Sequence, residues 1–551
     1  MDRKICPTFI SAGQLSRDSS AAFHSKTMSR KPLSPHRRLS RREFIAGSAS
    51  LAALALGGCS SATPRLSRTP VPAEPFALGI ASGDPTSDGV VLWTRLAPRP
   101  REVGGGMPPE PFEVEWQVAE DEGMRRIVRR GTEVATPQWG HSVHAEVAGL
   151  RPDHWYWYRF TCGGEASVTG RTRTLPLAGS SPDRLRFAVA NCQKWEPGYY
   201  TAYEFLVREN PDIVLHLGDY IYEKDSDSDG IRPHGQSEVK TLDDYRVRYA
   251  IYKSDPALQA AHTIAPWFVT WDDHEVNNDY AGAISERPDV STEDFLVRRA
   301  AAYQAYYENM PLRRTSMPSG ADLQLFRRFE YGRLARFHIL DTRQYRTDQP
   351  AGPRMQPLAS VPVDADATIL GTRQKAWLFD GLRNSPAAWN AIAQQVLMAR
   401  IDLREGVDAL VDVDKWAGYE HERREVLRFI ETARIRNAVV LTGDKHENWA
   451  NELWNDFDSP EPRPMAVEFL GTSISSSGDG PDKPPYLEEL LRENPCVKFH
   501  NDERGYLMCD VTPAQWRTDF KTVEYVTRPG APMNTRASFV VESGDPRLHR
   551  I

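Results

Sequence analysis

The chain has 551 residues, of which 40% are hydrophobic and 26% are charged, and its formal net charge is −7. This composition excludes a disordered chain, a collagen-like chain and a multi-pass membrane protein, and the length predicts two domains. The charge is uneven, because residues 1–70 carry 12 Lys and Arg against 3 Asp and Glu, which leaves the rest of the chain at −16. That acidic part contains no basic run, so we expect no nucleic-acid binding.

Residues 1–70 are predicted to be a targeting segment and linker. Arg41 and Arg42 precede an uncharged, weakly apolar run over 44–58, the arrangement of an export signal. The paired arginines resemble a twin-arginine signal, and the sequence LGGC ending at Cys59 resembles a lipobox. We therefore expect export by the twin-arginine machinery to the periplasm or cell exterior, with a lipid on Cys59 as membrane attachment. The alternatives are an uncleaved anchor and a chance pair of arginines.

Residues 71–180 are predicted to form a β-sandwich, and the aromatic-rich stretch after Leu150 resembles a strand of a fibronectin-type domain. Short β-like runs separated by Gly, Pro and Asp lie at 89–96, 112–120, 141–147, 154–162 and 167–174. In the fourth run, Tyr156 and Tyr158 fall on one face and Trp155 and Trp157 on the other. Packing is the commoner role of such aromatic residues, and sugar or nucleic-acid binding is the alternative.

Residues 181–545 are predicted to form an α/β domain. Apolar runs typical of buried strands lie at 185–190, 212–218, 267–271, 337–341, 392–399, 438–443 and 466–471. An amphipathic helix is predicted over 420–436. The long polar stretches near 223–245 and 280–292 are interpreted as loops.

Polar side chains that can bind metals or form hydrogen bonds follow most of these strands. They are Asn191, Cys192, Asp219, Tyr222, Asp272, Asp273, His274, Glu275, Asp341, Arg343, Asp444 and His446. In open α/β sheets, ligands bind beyond the carboxyl ends of the strands, and buried carboxylates need a neutralising partner. The set therefore predicts a polynuclear metal centre. Taken singly, Asp219 is also explained as a helix N-cap, and Cys192 as an inert hydrophobic side chain.

Five motifs together resemble one family. They are FAVANCQ (187–193), LHLGDYIYE (215–223), WDDHEVNN (271–278), DTRQYR (341–346) and VVLTGDKHENW (439–449). The series resembles the PhoD family of secreted alkaline phosphatases and, more distantly, purple acid phosphatases among the calcineurin-like metallophosphoesterases. The resemblance implies an α/β metallophosphoesterase sandwich of two mixed sheets flanked by helices, preceded by an immunoglobulin-like domain. It also implies metal-dependent hydrolysis of phosphate monoesters.

The resemblance assigns a first group of metal ligands. Asp219 occupies the position of the carboxylate that bridges two metals. Tyr222 matches the phenolate ligand of Fe³⁺, and Cys192 matches a thiolate ligand of the same ion, with Asn191 beside it. The family therefore implies Fe³⁺ as one cofactor.

A second group of ligands departs from the wider superfamily. Asp273 stands where that superfamily has an Asn ligand, and Asp444 and His446 replace its final His pair. The superfamily's remaining His ligand has no counterpart near residue 395, where Gln395 is the candidate oxygen donor. Because hard oxygen ligands suit Ca²⁺, Ca²⁺ is expected at the positions without iron.

For catalysis, the resemblance implies attack on phosphorus by a water that the metals activate. His274 matches the catalytic histidine and would protonate the leaving alkoxide or hydrogen-bond the phosphate. Arg343 is a candidate phosphate clamp, since a guanidinium fits phosphate oxygens, and a structural turn with Asp341 is the alternative.

Three questions stay open at this point. One alternative function is a phosphodiesterase, including phospholipase D-like activity, on the same metal centre. Another is a lipid-anchored binding protein without catalysis. A disulfide between Cys496 and Cys509 would fit an oxidising compartment, but the sequence does not establish it.

Overall fold

The computed structural model describes residues 66, 67, 69–406 and 408–551. The arginine pair and Cys59 of the predicted targeting segment lie outside these residues. Within the described part, no helix is both long and apolar enough to cross a membrane.

The first eight strands form a β-sandwich. They are β1 (Ile80–Gly83), β2 (Gly89–Arg95), β3 (Phe112–Ala119), β4 (Ile127–Ala135), β5 (Ser142–Ala148), β6 (Trp155–Cys162), β7 (Glu165–Ala166) and β8 (Gly170–Arg173). Strands β1, β2 and β5 form one antiparallel ladder, and β4, β3, β6 and β7 form another sheet, with β8 on β6. Tyr156 and Tyr158 point into the core between them, as predicted for packing residues.

The rest of the chain contains sixteen described strands. They are β9 (Leu185–Ala190), β10 (Ile213–His216), β11 (Trp267–Val269), β12 (Arg327–Tyr331), β13 (Ala335–Ile339), β14 (Met355–Pro357), β15 (Trp389–Ala393), β16 (Leu410–Asp412), β17 (Ala438–Thr442), β18 (Asn448–Trp454), β19 (Pro464–Leu470), β20 (Val497–Asn501), β21 (Arg504–Val511), β22 (Gln515–Val523), β23 (Met533–Glu542) and β24 (His549–Arg550).

The α-helices of the described residues all follow β9. They are α1 (Thr201–Glu209), α2 (Leu242–Lys253), α3 (Pro256–Ile264), α4 (Thr292–Asn309), α5 (Gly371–Arg383), α6 (Glu420–Thr432) and α7 (Leu487–Glu493). Helix α2 begins inside the stretch predicted as a loop, where Thr241 and Asp244 form a capping box.

Two large mixed sheets face each other. The ten-stranded sheet has the order β24-β23-β22-β21-β9-β10-β11-β1-β2-β5, and the seven-stranded sheet has the order β12-β13-β15-β17-β19-β18-β20. Their inner faces share one apolar core that includes Phe187, Leu215, Phe337 and Val439. Helices α1 to α4 supply buried residues to a second core, and α5 to α7 to a third. The predicted α/β sandwich of two mixed sheets is confirmed.

The two predicted domains share a sheet. Strand β1 pairs in parallel with β11 through Gly83 and Trp267, so the first ladder of the β-sandwich continues the ten-stranded sheet. The boundary predicted near residue 180 stays a prediction.

The two C-terminal cysteines do not pair. Cys496 and Cys509 are both buried free thiols. Cys496 packs in the core beside α6 and α7, whereas Cys509 lies in the core between the two sheets. The structure therefore does not support the disulfide that the sequence left open.

Candidate metal centre

The ends of four strands bring the candidate ligands together. Three groups of side chains each have ligand atoms within 4.8 Å of one another: Cys192 with Asp219 and His446, Asp219 with Asp273 and His274, and Asp272 with Asp273 and Asp444. All of these residues are buried. Because Asp219 and Asp273 each belong to two groups, the three groups form one continuous cluster. The cluster lies beyond β9, β10, β11 and β17, where the strand pattern predicts a ligand site.

Asp219, Tyr222 and His446 contact one another directly. The Tyr222 hydroxyl donates to Asp219 Oδ2 at 2.8 Å and lies 3.0 Å from His446 Nε2. His446 Nδ1 lies 2.8 Å from the hydroxyl of Ser477. A phenol, a carboxylate and an imidazole therefore converge beside the Cys192 thiol, a donor set that suits a transition metal.

The electrostatics of this first group fit a bound cation. Burial, with Asp219 nearby, raises the pKa of the Cys192 thiol and of the Tyr222 hydroxyl well above their ordinary values. Both groups bind metals as anions, and a cation would supply the charge that favours those anions.

The second group is made of carboxylates. Burial raises the pKa of Asp272 well above its usual range. Asp272 Oδ2 is buried and has no hydrogen-bond partner in the described part of the chain. Hard cations are coordinated by carboxylate oxygens of this kind. The carboxylates of the second group therefore fit a metal such as Ca²⁺.

His274 is oriented by a carboxylate. Its Nδ1 lies 2.6 Å from Glu223 Oε2, and the Asn278 N–H donates to Glu223 Oε1 at 2.9 Å. Burial opposes the charge of Glu223, but His274 and this N–H outweigh it and lower the pKa of Glu223 to about 2. His274 Nε2 is buried and has no hydrogen-bond partner among the residues described. The unpaired nitrogen belongs to the residue that lies beside Asp219 and Asp273.

Several ligand positions adopt an unusual backbone conformation. Cys192, Asp219, Asp444 and His446 have φ values of 54°, 57°, 65° and 61°, in the left-handed region. This conformation costs a non-glycine residue about 1–2 kcal/mol and is concentrated at functional sites. Before Asp219, Gly218 has φ +108°, and a Cβ there would lie 2.5 Å from the Asp272 nitrogen. Glycine therefore lets the ends of β10 and β11 approach.

Comparison with known proteins decides the family. Residues 187–520 match the family model of the PhoD-like phosphatase, and residues 59–176 match that of the PhoD-like phosphatase N-terminal domain. The chain belongs to the PhoD-like phosphatase family. Alkaline phosphatase D of Bacillus subtilis (strain 168) is 48% identical over 525 residues, which cover 93% of this chain and 89% of that protein. A solved structure of PhoD is 49% identical with a TM-score of 0.84, and the match covers 87% of this chain and 92% of that one.

In this PhoD-like phosphatase, Arg343 does not have the environment of a phosphate clamp. Its guanidinium is fully buried and donates to Asp272 Oδ1 at 2.5 Å and to both oxygens of Asp414 at 2.9 and 3.1 Å. The backbone N–H of Arg343 also donates to Asp341, which is the turn that the sequence left as the alternative. Because carboxylates already occupy the guanidinium of Arg343, the predicted role as a phosphate clamp is corrected. Arg343 has a structural and positioning role.

The assignment of Gln395 as an oxygen donor to a metal is also corrected, because hydrogen bonds already occupy its side-chain oxygen. Gln395 Oε1 accepts from the backbone N–H and the hydroxyl of Thr342 at 3.0 and 2.6 Å. A carbonyl oxygen has two lone pairs, and both are used here. Gln395 therefore joins the ends of neighbouring strands and does not offer an oxygen to a metal.

Asn191 remains compatible with a ligand role. Its Nδ2 donates to the carbonyls of Gly471 and Thr472, whereas its Oδ1 is buried without a hydrogen-bond partner in the described ranges. A Cβ on Gly443 would lie 2.9 Å from Asn191 Cγ. The amide therefore packs against the turn that carries Asp444.

Several residues that shape the site were not predicted for these roles. Glu275 accepts backbone N–H groups from Asp219, Tyr220 and Asp272, and so ties two strand ends together. Glu223 lies within the motif quoted for Asp219, so its position offered a signal. The other members belong to none of the quoted motifs. Asp414 pairs with Arg343, Lys415 pairs with Asp444, and Ser476 and Ser477 contact Tyr222 and His446.

Proposed function

We propose that this chain is a metal-dependent phosphatase that hydrolyses phosphate monoesters by attack of water on phosphorus. The observation that carries the proposal is the buried cluster of three ligand groups joined through Asp219 and Asp273, next to the unpaired Nε2 of His274. Membership of the PhoD-like phosphatase family and the resemblance to an alkaline phosphatase support the same reaction.

The side chains divide into two ligand sets. Cys192, Tyr222 and His446, with Asp219 shared, suit Fe³⁺, because thiolate and phenolate donors stabilise a trivalent transition metal. Asp272, Asp273 and Asp444 suit Ca²⁺, which prefers oxygen ligands. When bound, these ions supply Lewis acidity that polarises the phosphoryl group and lowers the pKa of the attacking water.

His274 handles the proton of the leaving group. Nδ1 is held by Glu223, so the ring cannot rotate without losing that hydrogen bond. As the ester P–O bond breaks, the proton on Nε2 passes to the departing oxygen and an alcohol leaves. Water supplies the new oxygen on phosphorus, and the imidazole takes back a proton from that water or from solvent.

The test compares two substrates and one variant. The wild-type protein should hydrolyse p-nitrophenyl phosphate faster than bis(p-nitrophenyl) phosphate, and faster hydrolysis of the bis ester would favour the phosphodiesterase. Asp219→Asn should abolish turnover while circular dichroism shows a native fold, because one shared ligand is lost and the packing is kept. Full activity of this variant would contradict the metal mechanism.

We also propose that the protein is exported by the twin-arginine machinery and anchored by a lipid on Cys59. The support is the sequence pattern around Arg41, Arg42 and Cys59. Replacing both arginines by lysine should retain the protein in the cytoplasm. Cys59→Ala should release the exported protein from the membrane fraction, and unchanged membrane association would refute the anchor.

A further inference from the structure

A serine-rich loop after β19 contacts the first ligand group. The side chain of Ser476 is fully buried, and its Oγ accepts from the Lys194 N–H at 2.9 Å. The same oxygen lies 2.7 Å from the Cys192 carbonyl and 2.8 Å from the Tyr222 hydroxyl. One hydroxyl therefore links the backbone of one candidate ligand to the side chain of another.

The Ser476 hydroxyl can donate to either of two neighbouring acceptors. A serine hydroxyl has one proton to donate and two lone pairs to accept with. With the Lys194 N–H as a fixed donor, Ser476 can give its one proton to the Cys192 carbonyl or to the Tyr222 oxygen, which can accept it because Tyr222 gives its own proton to Asp219. If Tyr222 held a metal through its oxygen, that oxygen would still be able to accept the proton of Ser476.

Ser477 holds the neighbouring ligand. Its Oγ lies 2.8 Å from Nδ1 of His446, whose Nε2 lies 3.0 Å from the Tyr222 hydroxyl. Ser477 has φ +71°, a left-handed conformation that a serine adopts at a cost. The hydrogen bond at one ring nitrogen fixes the orientation of the other, which is how residues behind a metal ligand tune binding.

The backbone of the loop is anchored independently of these two hydroxyls. The Ile474 N–H donates to the Asn191 carbonyl at 3.1 Å, and the Ser475 hydroxyl donates to the Lys194 carbonyl at 2.6 Å. The Ser473 hydroxyl donates to the Ser476 carbonyl at 2.9 Å. Removing the hydroxyl of Ser476 or Ser477 therefore leaves the loop docked, so the effect on the ligands can be measured.

We propose that Ser476 and Ser477 are positioning residues that hold Tyr222, the Cys192 backbone and His446 in the geometry that binds a metal. The inference rests on the metal-dependent function proposed above. It concerns metal affinity and ligand geometry, because the two hydroxyls contact candidate metal ligands.

The experiment titrates the full chain, stripped with a chelator, with Co²⁺ alone. The visible and near-ultraviolet absorption of Co²⁺ reports thiolate coordination, and Cys192→Ala defines the signal of that position. We expect Ser476→Ala to weaken Co²⁺ binding about 10-fold or more and to shift the thiolate band. Ser477→Ala should weaken binding in the same direction. Ser142→Ala is the matched control, because its buried hydroxyl lies in β5 and donates to the Trp139 carbonyl, and it should behave as wild type.

The outcomes separate the two proposals. Suppose that wild type shows a thiolate band, and that Ser476→Ala and Ser477→Ala bind Co²⁺ with the same affinity and spectrum as wild type. The positioning role is then overturned, whereas the metal-dependent function stands. If wild type binds no Co²⁺, the positioning role is overturned, and the metal-dependent function is decided separately by elemental analysis and by activity after chelation. Melting of the metal-free proteins shows whether each variant folds. Because Ser477 is exposed, we expect Ser477→Ala to fold even if Ser476→Ala does not. Ser477→Ala then tests the positioning of His446 by itself.

Discussion

The carboxylate of Glu223 lies 2.6 Å from Nδ1 of His274, across 51 residues of sequence. Both side chains are 1% exposed, so the pair is shielded from water. The hydrogen bond fixes the ring in the orientation that leaves Nε2 unpaired among the described residues. Glu223 therefore acts through His274 and is a positioning residue.

Glu223→Gln tests this relationship. The amide keeps the shape of the side chain but loses the charge that pairs with the ring, so kcat should fall about 10- to 100-fold with little change in KM. Glu420→Gln is the matched control, a buried glutamate paired with Arg423 in α6. Steady-state kinetics of both variants measure kcat and KM. An unchanged kcat for Glu223→Gln would show that the His274 ring does not need the Glu223 carboxylate as a partner.

Arg343→Lys distinguishes a structural arginine from a phosphate clamp. Lysine cannot reproduce the two-pronged contact with Asp414, so a buried carboxylate is left poorly paired and the protein should lose about 3 kcal/mol of stability. Arg184→Lys, at an exposed pair with Asp510, should cost less than about 1 kcal/mol. Thermal melts measure both changes. A raised KM with an unchanged melting temperature would restore the clamp.

Gln395→Ala separates a packing residue from a metal ligand. Both donors on Thr342 lose their acceptor, so stability should fall by about 1–3 kcal/mol. Metal content, measured by elemental analysis of the purified protein, should stay at the wild-type level. Loss of one metal equivalent would return Gln395 to the ligand set.

His338 in β13 should make the protein sensitive to acid. It is fully buried, and burial with Arg328 and Arg336 lowers the pKa of its ring to about 3. An unfolded histidine has a pKa of about 6.5, so below that pH the unfolded chain binds a proton that the folded chain refuses, and stability falls as pH falls. This group should cost about 1 kcal/mol between about pH 7 and about pH 5.5.

His338→Leu removes the group that takes up a proton on unfolding. The free energy of unfolding should therefore fall less between about pH 7 and about pH 5.5 than it does in wild type. The matched control is His421→Leu, at an exposed position in α6. Denaturant unfolding at both pH values measures the difference. Parallel curves for wild type and His338→Leu would show that His338 is not the source of the acid sensitivity.

The sequence predicted strands best where a buried strand is a continuous apolar run. The runs at 185–190 and 438–443 correspond closely to β9 and β17. It missed β4, whose side chains are mostly exposed and show no apolar alternation. The run at 392–399 was misplaced, because β15 ends at Ala393 and the following apolar residues are buried in irregular backbone.

The site was predictable to the extent that its residues follow strands directly. Asp219, Asp273 and Asp444 stand at strand ends, and parallel strands bring such ends together. Partners from distant loops could not be predicted, because Asp414 lies 71 residues from Arg343 and meets it only through the tertiary fold. The assignments of Arg343 and Gln395 failed for the same reason, since neighbours that are distant in sequence occupy their polar atoms.

The central claim is that the buried ligand cluster binds more than one metal ion and that turnover depends on them. The deciding measurement is elemental analysis of the purified protein, paired with its phosphatase rate before and after chelation. We expect roughly two or more metal ions per chain, with iron and calcium among them, and loss of activity in proportion to the metal removed. A fully active protein that holds no stoichiometric metal would contradict it.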